Sequence, residues 1–160
     1  MPAPAATPAS GRRIPLSAAM PFPAEQYALR APGFDVGNAP AYLGTAYVGH
    51  GAYPCKIIPS QNPACRFSMN GQELGHNGRY DLLPFDASRM ELVRTANGVV
   101  PRGRRPVQGG HEENGSPLYH AVGTLGGMRV PGRTGEHLVR CPSDKERRLT
   151  FAVERRVLRA

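Results

Sequence analysis

The chain carries one pattern twice, at an offset of 77 residues. The first copy is Gly33-Phe34-Asp35, then Pro40, Tyr42 and Gly49, then Pro54-Cys55-Lys56. The second is Gly110-His111-Glu112, then Pro117, Tyr119 and Gly126, then Pro131-Gly132-Arg133. Of the seven positions Gly33, Asp35, Pro40, Tyr42, Gly49, Pro54 and Lys56, five are identical in the second copy. The other two, Asp35/Glu112 and Lys56/Arg133, change side chain and keep charge. Repetition on this scale sets the architecture before any local motif is considered. Each unit is longer than a usual solenoid repeat, and there are only two, which favours a closed, pseudo-symmetric pair over an open array. A half of this size, rich in Gly and Pro, buries little apolar surface alone, so the two are expected to share one core.

The 19 Gly and 17 Pro are dispersed between apolar runs and read as turns between short strands. No window of helical length shows a clean 3.6-residue period free of Gly and Pro. Strand-type runs recur at 41–48, 119–125, 80–85 and 90–95. Near the C-terminus Leu149, Phe151 and Val153 alternate with Thr150, Ala152 and Glu154, the pattern of a half-buried strand. Asn70-Gly71, Asn77-Gly78, Asn97-Gly98 and Asn114-Gly115 are candidates for tight turns with positive φ. The expectation is an all-β protein of 8 to 12 short antiparallel strands with almost no helix, built from two units related by a pseudo-twofold. Residues 1–12, rich in Ala, Pro and Ser, are expected to be disordered. Residues 13–160 form the domain, with unit one at about 13–88 and unit two at about 89–160. Tyr80-Asp81-Leu82-Leu83 is taken to close the first unit and Arg155-Arg156-Val157-Leu158 the second.

No apolar stretch reaches the length of a membrane span, and the start of the chain has no signal-peptide pattern. Three cysteines cannot all pair within one chain, and such a sparse set fits a reducing compartment. The expected location is cytoplasmic, or outside the cell by a route needing no N-terminal signal peptide. The formal charge of +8 brings in anionic partners. No basic stretch carries the interleaved aromatics of a single-strand binder, however, and no specific nucleic-acid partner is expected.

In order and spacing these elements resemble the DM9 repeat family, as two tandem units. The resemblance rests on Gly33-Phe34-Asp35, Ala41-Tyr42-Leu43, Pro54-Cys55-Lys56-Ile57, Asn70-Gly71-Gln72-Glu73 and Tyr80-Asp81-Leu82-Leu83 in unit one. In unit two it rests on Gly110-His111-Glu112, Ser116-Pro117-Leu118-Tyr119 and Pro131-Gly132-Arg133. It spans about residues 14–158. The chain departs from the family pattern in having no Trp and in the basic stretch Asp144-Lys145-Glu146-Arg147-Arg148, which stands where the second unit's closing turn would be. The resemblance implies a non-catalytic lectin for mannose-type glycans with a role in innate recognition, in some members a homodimer. It also implies that Asp35 and Lys56 line a sugar pocket, with Glu112 and Arg133 at the matching places.

The chemistry suits that reading. An ionised Asp accepts from vicinal hydroxyls and a Lys ammonium donates to them, through charge-assisted bonds. A structural salt bridge tying a strand end to a turn explains the same residues, and both readings stand at this point. The alternative function is a protein- or anionic-surface interaction module using the basic residues, Lys145–Arg156 above all. Enzyme readings are weaker. No histidine stands at a metal-ligand spacing with a carboxylate or cysteine, no cofactor is implied, and no nucleophile elbow is present. Cys55 lies beside Lys56, a neighbour that would lower the pKa of its thiol. Tyr42 and Tyr119 are expected in the core, whereas Tyr47 or Tyr53 would stack on a sugar if exposed.

Overall fold

The computed structural model describes residues 11–23, 31–69, 72–95, 100–125, 128–135 and 149–154. Over these it is all-β, with twelve strands and a single 3-10 turn at Val36–Asn38. The strands are β1 (Ile14–Leu16), β2 (Gly33–Asp35), β3 (Ala39–Val48), β4 (Gly51–Ile57), β5 (Cys65–Met69) and β6 (Gln72–His76). They continue with β7 (Tyr80–Leu83), β8 (Met90–Thr95), β9 (Gln108–His111), β10 (Pro117–Leu125), β11 (Met128–Thr134) and β12 (Leu149–Glu154).

The main sheet runs β1-β7-β3-β4-β9-β10-β12-β8. β11 is hydrogen-bonded to β10, β2 to β3, β5 to β4 and β6 to β5. Within this order lies a repeat. In the first half β1 pairs β7, β7 pairs β3 and β3 pairs β4; in the second β8 pairs β12, β12 pairs β10 and β10 pairs β11. The long hairpins keep the sequence offset to the residue: Tyr42 faces Ile57 and Tyr119 faces Thr134, while Val48 faces Gly51 and Leu125 faces Met128. Period-2 alternation and turn chemistry set hairpin register locally, so two copies of one local sequence reproduce it.

The closing strands do not keep that offset. Ala46 faces Tyr80 on β7, and Gly123 faces Leu149 on β12. Tyr80-Asp81-Leu82-Leu83 therefore corresponds to Leu149-Thr150-Phe151-Ala152, which corrects the sequence assignment to residues 155–158; these lie outside the described residues. Ala152 and Val153 are both fully buried, so β12 is covered on both faces at these positions and not half-buried as its alternation suggests. β10 and β8 flank it, and Ala152 joins the apolar cluster of Leu43, Leu83, Met90 and Val107.

That cluster draws on both halves of the chain. A second cluster gathers Tyr42, Ala46, Tyr53, Cys55, Ile57, Cys65, Phe67, Tyr80 and Leu82 with Leu118 of β10. The core is shared, as the low apolar content of each half requires. The halves also meet through backbone, where β9 crosses to β4 with His111 facing Ala52. At Gly110 the chain has φ +146, and a Cβ there would overlap the Ala52 carbonyl oxygen. Only glycine permits this approach.

The Asn-Gly turns are mixed. Asn114-Gly115 turns with Gly115 at φ 89, but neither Asn77 nor Gly78 has positive φ. Asn70, Gly71, Asn97 and Gly98 lie outside the described residues. Of the segment expected to be disordered, 1–10 lie outside them as well, and Gly11 sits against Leu83 and Met90.

Candidate functional site

Asp35 ends the three-residue β2, just before the chain reverses through Val36–Asn38 with Asn38 at φ 63. Lys56 lies on β4, opposite Leu43 on one side and Arg66 of β5 on the other. The structure brings the two together, the Lys56 Nζ donating to Asp35 Oδ2. The same ammonium is paired with Glu73 Oε1 on β6, and Glu73 Oε2 stands 3.8 Å from Arg66 Nη1. Asp35 and Lys56 side chains are only 9% and 13% exposed, so this is a half-closed cluster of two acids and two bases. Burial pulls the Lys56 pKa down; the hydrogen bonds and charges of Asp35 and Glu73 outweigh it and leave it above the ordinary value. Glu73 was not among the site residues read from sequence, although it stands in the Asn70-Gly71-Gln72-Glu73 element that carries the resemblance.

In the second half Glu112 follows β9 and Arg133 lies on β11, facing His120 of β10. Their closest atoms, Arg133 Nη1 and Glu112 Oε1, are 4.0 Å apart, an ion pair without a hydrogen bond. The guanidinium lies over the Tyr53 ring at 5.3 Å, and that ring stacks on Phe67. The buried Arg133 Nη1 has no hydrogen-bond partner. Burial and the charges of Glu112 and Glu113 raise the Tyr53 phenol above its usual range, against Arg133. Tyr53 is buried and packs in the core with Tyr42, and Tyr119 is half-buried. Tyr47, half-buried, donates its hydroxyl to Asp81 and carries the Arg79 guanidinium 4.4 Å over its ring.

A third polar group was not legible in the sequence. Arg13, just ahead of β1, sends its guanidinium between the halves. It donates to Thr45 Oγ1 at 2.6 Å, the Gln108 carbonyl at 2.6 Å and His120 Nε2 at 3.2 Å. A guanidinium only donates, so Nε2 accepts and the His120 proton sits on Nδ1, which has no partner. Burial, then the Arg13 charge, hold the His120 pKa well below the usual histidine range. Cys55 corrects an expectation: burial, followed by hydrogen bonding to Cys65, pushes its thiol well up, against any activation by Lys56. Cys55 and Cys65 are both free and buried; Cys141 lies outside the described residues. Among the described residues no group of three His, Cys, Asp or Glu could hold a metal ion, and no helix is long and apolar enough to cross a membrane.

The DM9 repeat model matches residues 35–144. The chain belongs to the DM9 repeat family. It is thus a non-catalytic, all-β DM9 domain. No curated protein matches it in sequence. Its fold is similar to the crystal structure of the nematode sperm cell motility protein MFP2B, with a TM-score of 0.62 at 11% identity over 97% of this chain. At that identity the likeness shows the fold alone. The DM9 domain spans about half, 49%, of that chain.

Proposed function

We propose that this DM9 domain is an interaction module that engages an anionic partner through its arginine-rich surface. The observation that carries the reading is where the acids go. Asp35 and Glu73 are taken up by Lys56, Asp81 by Tyr47, Asp86 by Ser88 and Arg89, Glu91 by Arg104 and Glu112 by Arg133. Arg12, Arg79, Arg94, Arg102 and Arg105 are exposed. These guanidinium groups carry positive charge at the surface, in a chain of formal charge +8, and attract anions before contact. Lys145–Arg148, Arg155 and Arg156, the stretches expected to lead this contact, lie outside the described residues. Retention on an immobilised polyanion tests the reading. Elution should come at rising salt, because counterion release sets the slope; passage through the column at low salt overturns it.

A second reading keeps the acid–base pairs as a mannose-type glycan site, with Asp35 and Lys56 in unit one and Glu112 and Arg133 in unit two. What favours it is the buried Arg133 Nη1, which is ion-paired with Glu112 and lies by Tyr53 but has no hydrogen-bond partner, a donor that a hydroxyl could satisfy. A glycan array on the wild type and on Asp35→Ala tests it, and silence at high protein density removes it. We further take residues 85–90 as the junction between units and a homodimer as the assembly that would present several weak sites at once. Light scattering showing 17.2 kDa at every concentration excludes that dimer.

A further inference from the structure

We infer that the turn at residues 101–105 forms, with Arg12, an oxyanion-binding surface for a flexible chain of phosphate or sulfate groups. This inference deepens the anionic-partner reading and rests on it.

Placement comes first. The Arg104 amide donates to the Pro101 carbonyl at 3.0 Å, and Gly103 has φ 70. The segment is thus a tight turn with Arg102 at its tip. Arg104 is paired with Glu91 of β8. Pro106 bridges Val153 of β12, which itself faces Glu91. The turn is in this way pinned to the end of the sheet. The N-terminal segment passes alongside, since Gly11 sits against Met90 and Arg13 donates to the Gln108 carbonyl. Arg12 lies in the chain between these two contacts. Arg12, Arg102 and Arg105 are exposed and Arg104 is half-buried.

The residue type points to the ligand. Eighteen of the 20 basic residues of the chain are arginine. A guanidinium fork meets two oxygens of one tetrahedral oxyanion, where an ammonium acts as a point charge. The neighbours narrow the class. Residues 100–107 include no aromatic side chain, so the turn itself offers bases no stacking platform. Val107 is fully buried, and no large apolar side chain of the turn is exposed to anchor a protein interface. What remains is charge on a pinned frame, suited to the repeated oxyanions of a linear polymer and indifferent to what links them.

The experiment uses the full chain with inorganic polyphosphate and with heparin, by fluorescence anisotropy across salt. It compares wild type with Arg102→Gln/Arg105→Gln and with Arg79→Gln, which removes an exposed charge elsewhere. The inference expects binding at low salt that falls about tenfold or more in the double variant. The slope of log affinity against log salt should shrink by about one for each arginine lost, with Arg79→Gln close to wild type. Stronger binding of polyphosphate assigns phosphate as the oxyanion, and stronger binding of heparin assigns sulfate. If the double variant binds as Arg79→Gln does, the turn is not the site, while the anionic-partner reading stands. If wild type binds neither polymer at low salt, both are overturned.

Discussion

Lys56 shows how much one side chain can be asked to do. Its ammonium lies between Asp35 and Glu73 and is almost covered. Replacing Asp35 by Ala leaves a mostly buried cation with one carboxylate fewer, at a cost of about 1–3 kcal/mol. Urea unfolding of Asp35→Ala measures it, and a change under about 0.5 kcal/mol would show that Glu73 and water fully replace Asp35. His120 gives a pH dependence with a definite sign. Its folded pKa lies well below 6.5, for reasons of burial and the Arg13 charge. The unfolded chain takes up a proton near the usual histidine value while the folded one does not. Stability is therefore full above that value and lost as pH falls below it. His120→Gln keeps an acceptor for Arg13 and removes the titration. Between pH 7 and 5 its stability should slope less steeply than wild type, and parallel slopes would refute the assignment.

At the scale of strands, the crossing of β9 onto β4 joins the halves through backbone. Gly110→Ala places a Cβ on the Ala52 carbonyl in a conformation with φ +146, and should cost at least about 2 kcal/mol. Gly132→Ala on β11 is the matched control, because a Cβ there meets nothing within 4 Å, and its effect should stay within about 1 kcal/mol. Thermal melts of the two variants separate strain at the crossing from a general intolerance of side chains in the sheet. Comparison of the ladders also shows why a fixed sequence offset loses the closing strand. β3–β4 and β10–β11 are hairpins whose ends lie a few residues apart, and they repeat at 77. β7 and β12 are separated from these hairpins by longer stretches of sequence, and the position of Tyr80 recurs at Leu149, 69 residues on. Loops absorb insertions at little cost, so register within a hairpin is kept while spacing between hairpins drifts.

For the whole molecule, the two apolar clusters and the Arg13 guanidinium tie strands of both halves together. Unfolding should follow one transition, with near-ultraviolet and far-ultraviolet signals coincident; two resolved transitions would mean that the halves hold separate cores. Cys55 and Cys65 lie inside this body. Both should resist a thiol reagent in the native state and react once the chain is denatured without reductant. Rapid native labelling of either would place it outside the core.

The sequence by itself determined the strands, the repeat and the DM9 family, because turn residues, alternation and hairpin register are written in neighbouring positions. It also named the two acid–base pairs, Asp35 with Lys56 and Glu112 with Arg133, since each recurs at the same spacing within its unit. Only the tertiary structure decided their surroundings. Glu73 as second carboxylate to Lys56, Tyr53 of unit one beneath Arg133 of unit two, and Arg13 inserted between Thr45 and His120 all depend on how strands far apart in the chain are laid side by side. No local pattern encodes that. A long polar side chain takes whatever partner the packed sheet brings within its reach, and the cost of burying it alone leaves it nowhere else to go.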